Sequence, residues 1–288
     1  HRCLPDLFAK PLLGFPRRMT PLIIAADDYA QSAAIDQGIL SLARQSRISA
    51  FSCLVLSPRW PAAARQITPE VRSKADVGLH LDFTQYAQNG PAALPWLIVR
   101  SALRGLSHKA VRAAIMTQCN RFEDALGTMP DYVDGHQHVH QLPQIREALI
   151  DVLTQRYQHR LPWLRIARPP AASGFKAAII GALGSGVLAQ LARQNGIRHT
   201  SVLLGVYDFK GNASEYGARL AGWLAQASRS KPCCALMCHP AMEIGVTRDD
   251  LQDPIHAARL NEYRIFANDR FPSLIATYAV TPVRGDRL

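Results

Sequence analysis

Long apolar segments are missing from this sequence of 288 residues. The uncharged run Ala177–Leu191 is shorter than the roughly 20 apolar residues that a helix needs to cross a bilayer. Near the start, Pro5, Pro11 and Pro16 interrupt the only apolar stretch that could resemble the core of a signal peptide. These absences argue against an integral membrane protein and predict a cytoplasmic one.

Disulfide spacing is missing as well. None of the six cysteines falls into a pattern typical of a disulfide framework, and three of them share the apolar run 233–238. Buried thiols in such a run behave as small hydrophobic side chains. The cysteines therefore favour a reducing compartment.

Acidic residues are few relative to basic ones, with 22 against 33, which gives a formal net charge of +11. Such a charge suits nucleic acid, an anionic membrane surface or a phosphorylated substrate. However, the basic residues are scattered, and neither a zinc-finger nor an RNA-binding signature is present. We therefore expect no nucleic-acid partner and interpret the charge as a solvated basic surface, compatible with peripheral contact with the inner face of a membrane.

The chain is long enough for one large α/β domain. It contains no internal repeat, low-complexity segment or linker. Met19 directly precedes a predicted strand, so residues 1–18 are predicted to be an N-terminal extension, either non-native or flexible. Residues 19–288 are predicted to form a single domain.

Short apolar runs alternate with amphipathic segments about seven times, which predicts a parallel sheet covered by helices. Segment 84–106 is predicted to be rich in loops and to serve as a lid or substrate wall. Strands are predicted at 22–26, 50–56, 76–81, 132–133, 163–166, 199–204 and 233–238, and helices at 31–46, 107–126, 143–157, 213–227 and 254–268.

A cluster of histidines follows the predicted fourth strand. In Asp131–His140, His136, His138 and His140 occupy alternate positions. Alternate side chains of an extended segment point to the same side. Since imidazole is a common metal ligand, the spacing predicts a metal or catalytic site that up to three of these histidines could face.

Further polar residues stand where other predicted strands end. The carboxyl ends of the strands of a (β/α) barrel surround one mouth, where active sites lie. We therefore expect these residues to converge in space: Asp27, Asp28, His80, His136, Arg168 and His239.

This set suggests a hydrolytic mechanism. Two imidazoles and a carboxylate, from His80, His136 and Asp28, can hold a divalent metal and leave positions for water and substrate. Asp27 would then be the general base and His239 the general acid for a leaving amine. This combination is typical of metal-dependent attack on an amide.

Four segments resemble the motifs of the YdjC-like (ChbG/HpnK) carbohydrate deacetylase family: Ala26–Tyr29, Gly78–Leu81, Asp134–His140 and Cys238–Pro240. The resemblance implies an α/β fold, a distorted seven-stranded TIM-barrel-like structure related to polysaccharide deacetylases. It also implies removal of acetyl from an N-acetylated sugar with one divalent metal, Mg²⁺ or Zn²⁺.

The resemblance implies the same roles for the site residues as the hydrolytic mechanism described above. Asp28, His80 and His136 would be the metal ligands, Asp27 the base and His239 the acid, and Arg168 would line the substrate pocket. Tyr29, His138 and His140 are further candidates for substrate binding. Members of the family often form homodimers, so the resemblance allows a homodimer here, although the sequence does not determine the oligomeric state.

Other functions remain open from the sequence. The acyl group could differ from acetyl, and the sugar could be free or lipid-linked. A metal-dependent phosphoesterase or amidohydrolase is less consistent, because these barrels carry His-x-His after the first strand. A non-catalytic glycan- or glycolipid-binding barrel would not require Asp27 and His239.

Overall fold

The computed structural model describes residues 19–87, 93–170, 181–230, 233–244 and 247–288. The predicted extension 1–18 and residues 177–180 of the run Ala177–Leu191 lie outside the described residues. The strands are β1 (Thr20–Tyr29), β2 (Ala50–Cys53), β3 (Asp76–Leu81), β4 (Tyr132–Gly135), β5 (Trp163–Leu164), β6 (Val202–Leu204), β7 (Cys234–Cys238) and β8 (Val280–Pro282).

The described helices lie mostly in the connections between these strands, as expected for right-handed β-α-β units. They are α1 (Ala33–Arg44), α2 (Trp60–Ala64), α3 (Pro69–Lys74), α4 (Leu94–Ala102), α5 (His108–Leu126), α6 (Ile145–Arg156), α7 (Ser185–Gln194), α8 (Ala213–Ala227), α9 (Arg248–Gln252), α10 (His256–Phe266) and α11 (Phe271–Thr277).

Seven strands form one parallel sheet in the order β5-β4-β3-β2-β1-β7-β6. The sheet curves until its edges meet, because Leu164 of β5 forms an isolated parallel bridge with His199, just before β6. An eighth strand, β8, pairs with the start of β1. The predicted α/β fold with a distorted seven-stranded barrel is confirmed.

The alternation of side chains along β1 divides the core into two layers. Ile23 and Ala25 belong to a small cluster inside the barrel, together with Tyr132 and Trp163. Leu22 and its alternate neighbours belong to the larger cluster between the sheet and the helices. Strands buried on both faces account for the continuous apolar runs in the sequence.

Two segments differ from the predicted structure. The segment 84–106 contains α4 (Leu94–Ala102), with Pro95 in its first turn. A proline in the first turn is compatible with a helix, so the prolines here mark a helix start. Strand β5 extends only over Trp163–Leu164. Beyond it, the backbone N–H groups of Ile166 and Ala167 donate to side chains and not to a neighbouring strand.

The floor of the barrel generates a testable prediction. Gly78 of β3 faces the buried Tyr132, and a Cβ at position 78 would lie 2.5 Å from the Tyr132 ring, which itself stacks on Trp163 at 4.2 Å. We expect Gly78→Ala to lower the free energy of unfolding in urea by about 1–3 kcal/mol, the usual cost of overpacking.

The matched control is Gly222→Ala on an exposed part of α8, where a Cβ meets nothing within 4 Å. Alanine is the better helix former, so this variant should be about 0.5–1 kcal/mol more stable than the natural chain. An unchanged Gly78→Ala variant would show that the ring can move aside.

Candidate active site

The carboxyl ends of the strands surround a cavity of about 1130 Å³. Five of the six polar residues predicted at strand ends line it: Asp27, Asp28, His80, His136 and His239. Its polar end therefore consists of side chains that were predicted from their positions at strand ends. Residues of α4, Tyr207 and the segment after α9 form other parts of its wall.

Both acids of Asp27–Asp28 reach this cavity because the end of β1 is irregular. Consecutive side chains of a regular strand point to opposite faces. Here the pairing of β1 with β2 shifts register between Ala26 and Tyr29, and Asp28 adopts a left-handed backbone with φ of 70°. This bulge turns two adjacent carboxylates toward one site, a known use of bulges.

The predicted metal ligands lie together. Asp28 Oδ1 is 3.0 Å from His136 Nδ1 and 3.3 Å from His80 Nε2. One ligand atom from each of the three residues falls within 4.8 Å of the others, so the set could hold a metal ion. Two imidazole nitrogens and one carboxylate oxygen suit Zn²⁺ and related divalent metals.

Asp28 is ionised in this structure. Burial alone would favour the neutral acid, but Arg259 and the hydrogen bonds with His136 and His80 outweigh it and hold the pKa of Asp28 well below its ordinary value. Arg259 Nη2 donates to Asp28 Oδ2 at 2.7 Å. Arg259 thus occupies one oxygen, and the other oxygen remains turned toward the imidazoles.

Asp27 is held by a second buried arginine. Arg165 donates through Nη1 to Asp27 Oδ1 at 2.7 Å and through Nη2 to Asp27 Oδ2 at 2.6 Å, a bidentate pair. Burial nevertheless raises the pKa of Asp27 above its ordinary value, with Arg165 opposing. Arg165 also lies 2.8 Å from Asp134 Oδ2, so one guanidinium balances two carboxylates.

His80 is oriented by Asp134. Its Nδ1 lies 2.7 Å from Asp134 Oδ1, and Ser52 Oγ donates to Asp134 Oδ2 at 3.0 Å. Burial opposes protonation of the imidazole, but Asp134 and Asp27 raise the pKa of His80 to about 10. The contact of Nδ1 with a carboxylate leaves Nε2 for a metal, the usual arrangement of a ligating histidine.

Asp27, His80 and Asp134 form a second group with metal-ligand spacing. Both carboxylates of this group are already paired with Arg165. The set around Asp28 therefore fits a cation better, because the ion pairs of its Oδ1 with the described residues are those with the two imidazoles that would share the metal.

His239 directly follows β7, the strand that pairs with β1, and its Nε2 lies 3.8 Å from Asp27 Oδ2. Burial lowers the pKa of His239 to about 3, so the imidazole is neutral at physiological pH. Its backbone N–H donates to Glu262, which also accepts from the Tyr207 hydroxyl at 2.7 Å. Phe209 packs edge-on against the His239 ring at 5.2 Å.

The expectation that three alternate histidines share one site is wrong. Residues His136–Gln141 form a 3₁₀ segment in which Gln137 and His138 have positive φ. Only His136 joins the metal set, while His138 lines the cavity elsewhere. Segment 136–141 turns at Gln137 and His138 instead of extending, so alternate positions do not share a face.

His140 has a structural role instead. Its Nε2 donates to the Arg165 carbonyl at 2.9 Å, and the neighbouring Gln141 Oε1 accepts from Ala167 N at 2.7 Å. Gly135 permits this close return of the chain, since a Cβ there would lie 2.7 Å from His140 Nδ1. The histidine segment thereby holds the backbone that carries Arg165.

Two other predicted substrate-binding residues lie outside the site. Tyr29 is fully buried, packs on Phe51 and donates its hydroxyl to the Ala63 carbonyl at 2.8 Å. Arg168 is exposed and is not among the described residues that line the cavity. Tyr29 belongs to the core because the bulge rotates its side chain away from the cavity.

The sequence reasoning missed four charged residues of the site: Asp134, Arg165, Arg259 and Glu262. Each is almost fully buried. Two of them could have been recognised from the sequence, because Arg165 interrupts a predicted apolar strand and Asp134 follows the end of another. Arg259 and Glu262 lie one turn apart on a helix and could not be distinguished from a solvated face.

Comparison with known proteins identifies relatives. The family model described as YdjC-like protein matches residues 21–277. A carbohydrate deacetylase of Mus musculus is 27% identical over 255 residues, covering 79% of each chain. A chitooligosaccharide deacetylase of Citrobacter koseri is 25% identical over 245 residues, covering 79% of this chain and 84% of the relative.

A solved structure from Enterococcus faecalis V583, described as a candidate cellobiose-phosphate cleavage protein, superimposes with a TM-score of 0.68. It covers 93% of this chain and 98% of its own at 18% identity. At that identity the similarity shows a shared fold.

The metal set generates a prediction that does not depend on activity. In calorimetric titration of chelator-treated protein with Zn²⁺, we expect His136→Ala to weaken binding at least about 100-fold. The physical reason is that loss of a metal ligand should weaken binding more than loss of a residue that only hydrogen-bonds to a ligand. Loss of such a residue typically lowers metal affinity about 10–100-fold. His108→Ala, which removes an exposed histidine paired with Asp151, is the control and should bind like the natural chain.

Equal Zn²⁺ affinity of the two variants would place the metal elsewhere in the molecule.

Proposed function

The chain belongs to the YdjC-like protein family, and we propose that it is a metal-dependent hydrolase that removes the acetyl group from an N-acetylated sugar. The observation that carries this proposal is the juxtaposition of Asp28, His80 and His136 with the Arg165-bound Asp27 at one end of a large cavity. The carbohydrate deacetylases among its relatives support the choice of substrate class.

Asp28, His80 and His136 would hold the divalent metal. When bound, such a metal lowers the pKa of water and polarises a carbonyl oxygen. The donor set favours Zn²⁺, since Mg²⁺ prefers oxygen ligands. A histidine that binds a metal must be neutral, and the pKa of His80 is raised in this site. Metal uptake would therefore release a proton from His80.

Asp27 would accept the proton of the attacking water. The bidentate pair with Arg165 fixes the orientation of its carboxylate, and burial keeps its pKa above the ordinary value. A base that is preorganised in this way loses little reorganisation energy during the reaction. Arg165 would therefore act through Asp27, as a positioning residue.

His239 would deliver the proton to the leaving nitrogen. It is neutral in the free protein, and its Nε2 lies 3.8 Å from Asp27 Oδ2. A proton taken up by Asp27 would thus need to move only a short distance to reach the neighbouring imidazole. Glu262 fixes the His239 backbone through its N–H.

The remainder of the cavity would hold the rest of the substrate. Its wall includes the apolar side chains of Leu94 and Ile98 of α4 and of Ile255. We expect this wall to accept an apolar group next to the sugar, so that lipid-linked N-acetylated sugars belong in any substrate panel beside free oligosaccharides.

The proposal is tested by acetate release from that panel. We expect acetate release that a chelator abolishes and added Zn²⁺ or Mg²⁺ restores. Asp27→Asn should lower kcat by about 10²–10⁴-fold, the usual contribution of a general base, because the amide cannot accept a proton.

The matched control is Asp124→Asn, which changes an acid that does not line the catalytic cavity and should retain full activity. Acetate release that survives in Asp27→Asn would contradict the role of base. If no N-acetylated sugar releases acetate but another acyl group is released from a substrate, the proposed mechanism would stand and the proposed substrate would change.

A further inference from the structure

Helix α4 exposes an apolar stripe to solvent. Trp96, Val99 and Leu103 are 50%, 56% and 78% exposed, which is high for large hydrophobic side chains. They are spaced at i, i+3 and i+7, so they share one side of the helix. The opposite side is occupied by the buried Leu97 and Ser101.

The same helix also forms part of the catalytic cavity. Leu94 and Ile98, one turn apart, line the cavity that contains Asp28 and His136. The exposed stripe therefore lies on a helix whose inner side contributes to the substrate wall. A partner that covers the stripe would meet the protein next to its active site.

The chain segment that carries the stripe has charges of one sign. Residues 83–122 contain five basic residues and no acidic one. Arg100 lies on α4, Arg104 follows just after the end of α4, Lys109 lies in the first turn of α5, and all three are exposed. The Arg100 guanidinium lies over the Trp96 ring at 5.0 Å, so cation and aromatic ring are presented together.

We infer that α4 is a docking surface for an anionic lipid bilayer. A helix with tryptophan and aliphatic side chains on one side and arginines beside them binds at the level of the lipid headgroups. Arginine and lysine contribute by attraction to anionic lipids. Among the described residues no helix is long and apolar enough to cross a membrane, so the contact would be peripheral.

Charge complementarity favours a membrane over a second copy of this chain. Two copies of the α4 surface facing each other would bring their arginines together without an acidic residue from the same segment to pair with them. An anionic lipid surface provides the opposite charge and accepts the apolar stripe.

The test is sedimentation of the full chain with vesicles. Vesicles of phosphatidylcholine with anionic phosphatidylglycerol should bind the protein, vesicles of phosphatidylcholine alone should bind it much more weakly, and salt should weaken the binding. Leu103→Ser should lower the partition coefficient about tenfold by removing apolar contact. Arg104→Gln should lower it about fivefold.

Two control variants change the opposite end of the barrel. Met19→Ser alters an apolar residue that is 45% exposed just before β1, and Arg44→Gln alters an exposed arginine at the end of α1. Both should bind anionic vesicles as the natural chain does. Tryptophan emission should shift to the blue on binding, since Trp60 and Trp163 are buried and Trp96 is half-exposed.

The inference is overturned if the natural chain binds neither kind of vesicle, or if Leu103→Ser and Arg104→Gln bind as tightly as the two controls. A concentration-dependent dimer that Leu103→Ser dissociates, without vesicle binding, would assign the stripe to an interface between copies. Vesicle binding requires no substrate turnover, so its failure is distinct from failure of the deacetylase proposal.

Discussion

The catalytic end of this barrel depends on two buried arginines. Asp27, Asp28 and Asp134 are at most 3% exposed and lie within one small region. Charged groups of one sign cannot be buried together unless opposite charges and hydrogen bonds compensate for lost hydration. Arg165 contacts Asp27 and Asp134, and Arg259 contacts Asp28.

These contacts also determine which way the carboxylate oxygens and the imidazole nitrogens of the site point. A carboxylate has two oxygens, and an arginine that binds one of them decides where the other points. Arg259 occupies Asp28 Oδ2 and leaves Oδ1 toward the imidazoles, and Asp134 takes Nδ1 of His80 and leaves Nε2 toward Asp28. The ligand atoms are thus preorganised by their neighbours before any cation arrives.

Helix α10 connects the two sides of the site. Arg259 and Glu262 lie one turn apart on its buried side. Arg259 reaches the metal set through Asp28, and Glu262 reaches the backbone of His239. A single rigid helix therefore fixes the distance between the candidate metal ligands and the candidate acid, although neither residue belongs to a recognisable motif.

Sequence patterns alone determined the fold class and most of the site. Apolar runs of strand length ending in polar residues are a local property, and a parallel barrel brings such ends to one mouth. This is why Asp27, Asp28, His80, His136 and His239 could be named from their positions. The family motifs carried the same information, and the family is confirmed by the match over residues 21–277.

Tertiary structure decided the orientation of side chains and the partners of buried charges. The bulge at Asp28 and the 3₁₀ segment at His136–Gln141 change which neighbours share a face, and the regular alternation of side chains along a strand predicts neither of them. For the same reason Tyr29 and His140 became structural residues. Arg165 and Arg259 entered the site because carboxylates distant in sequence required compensation once they were buried together, a requirement that exists only after the chain has folded.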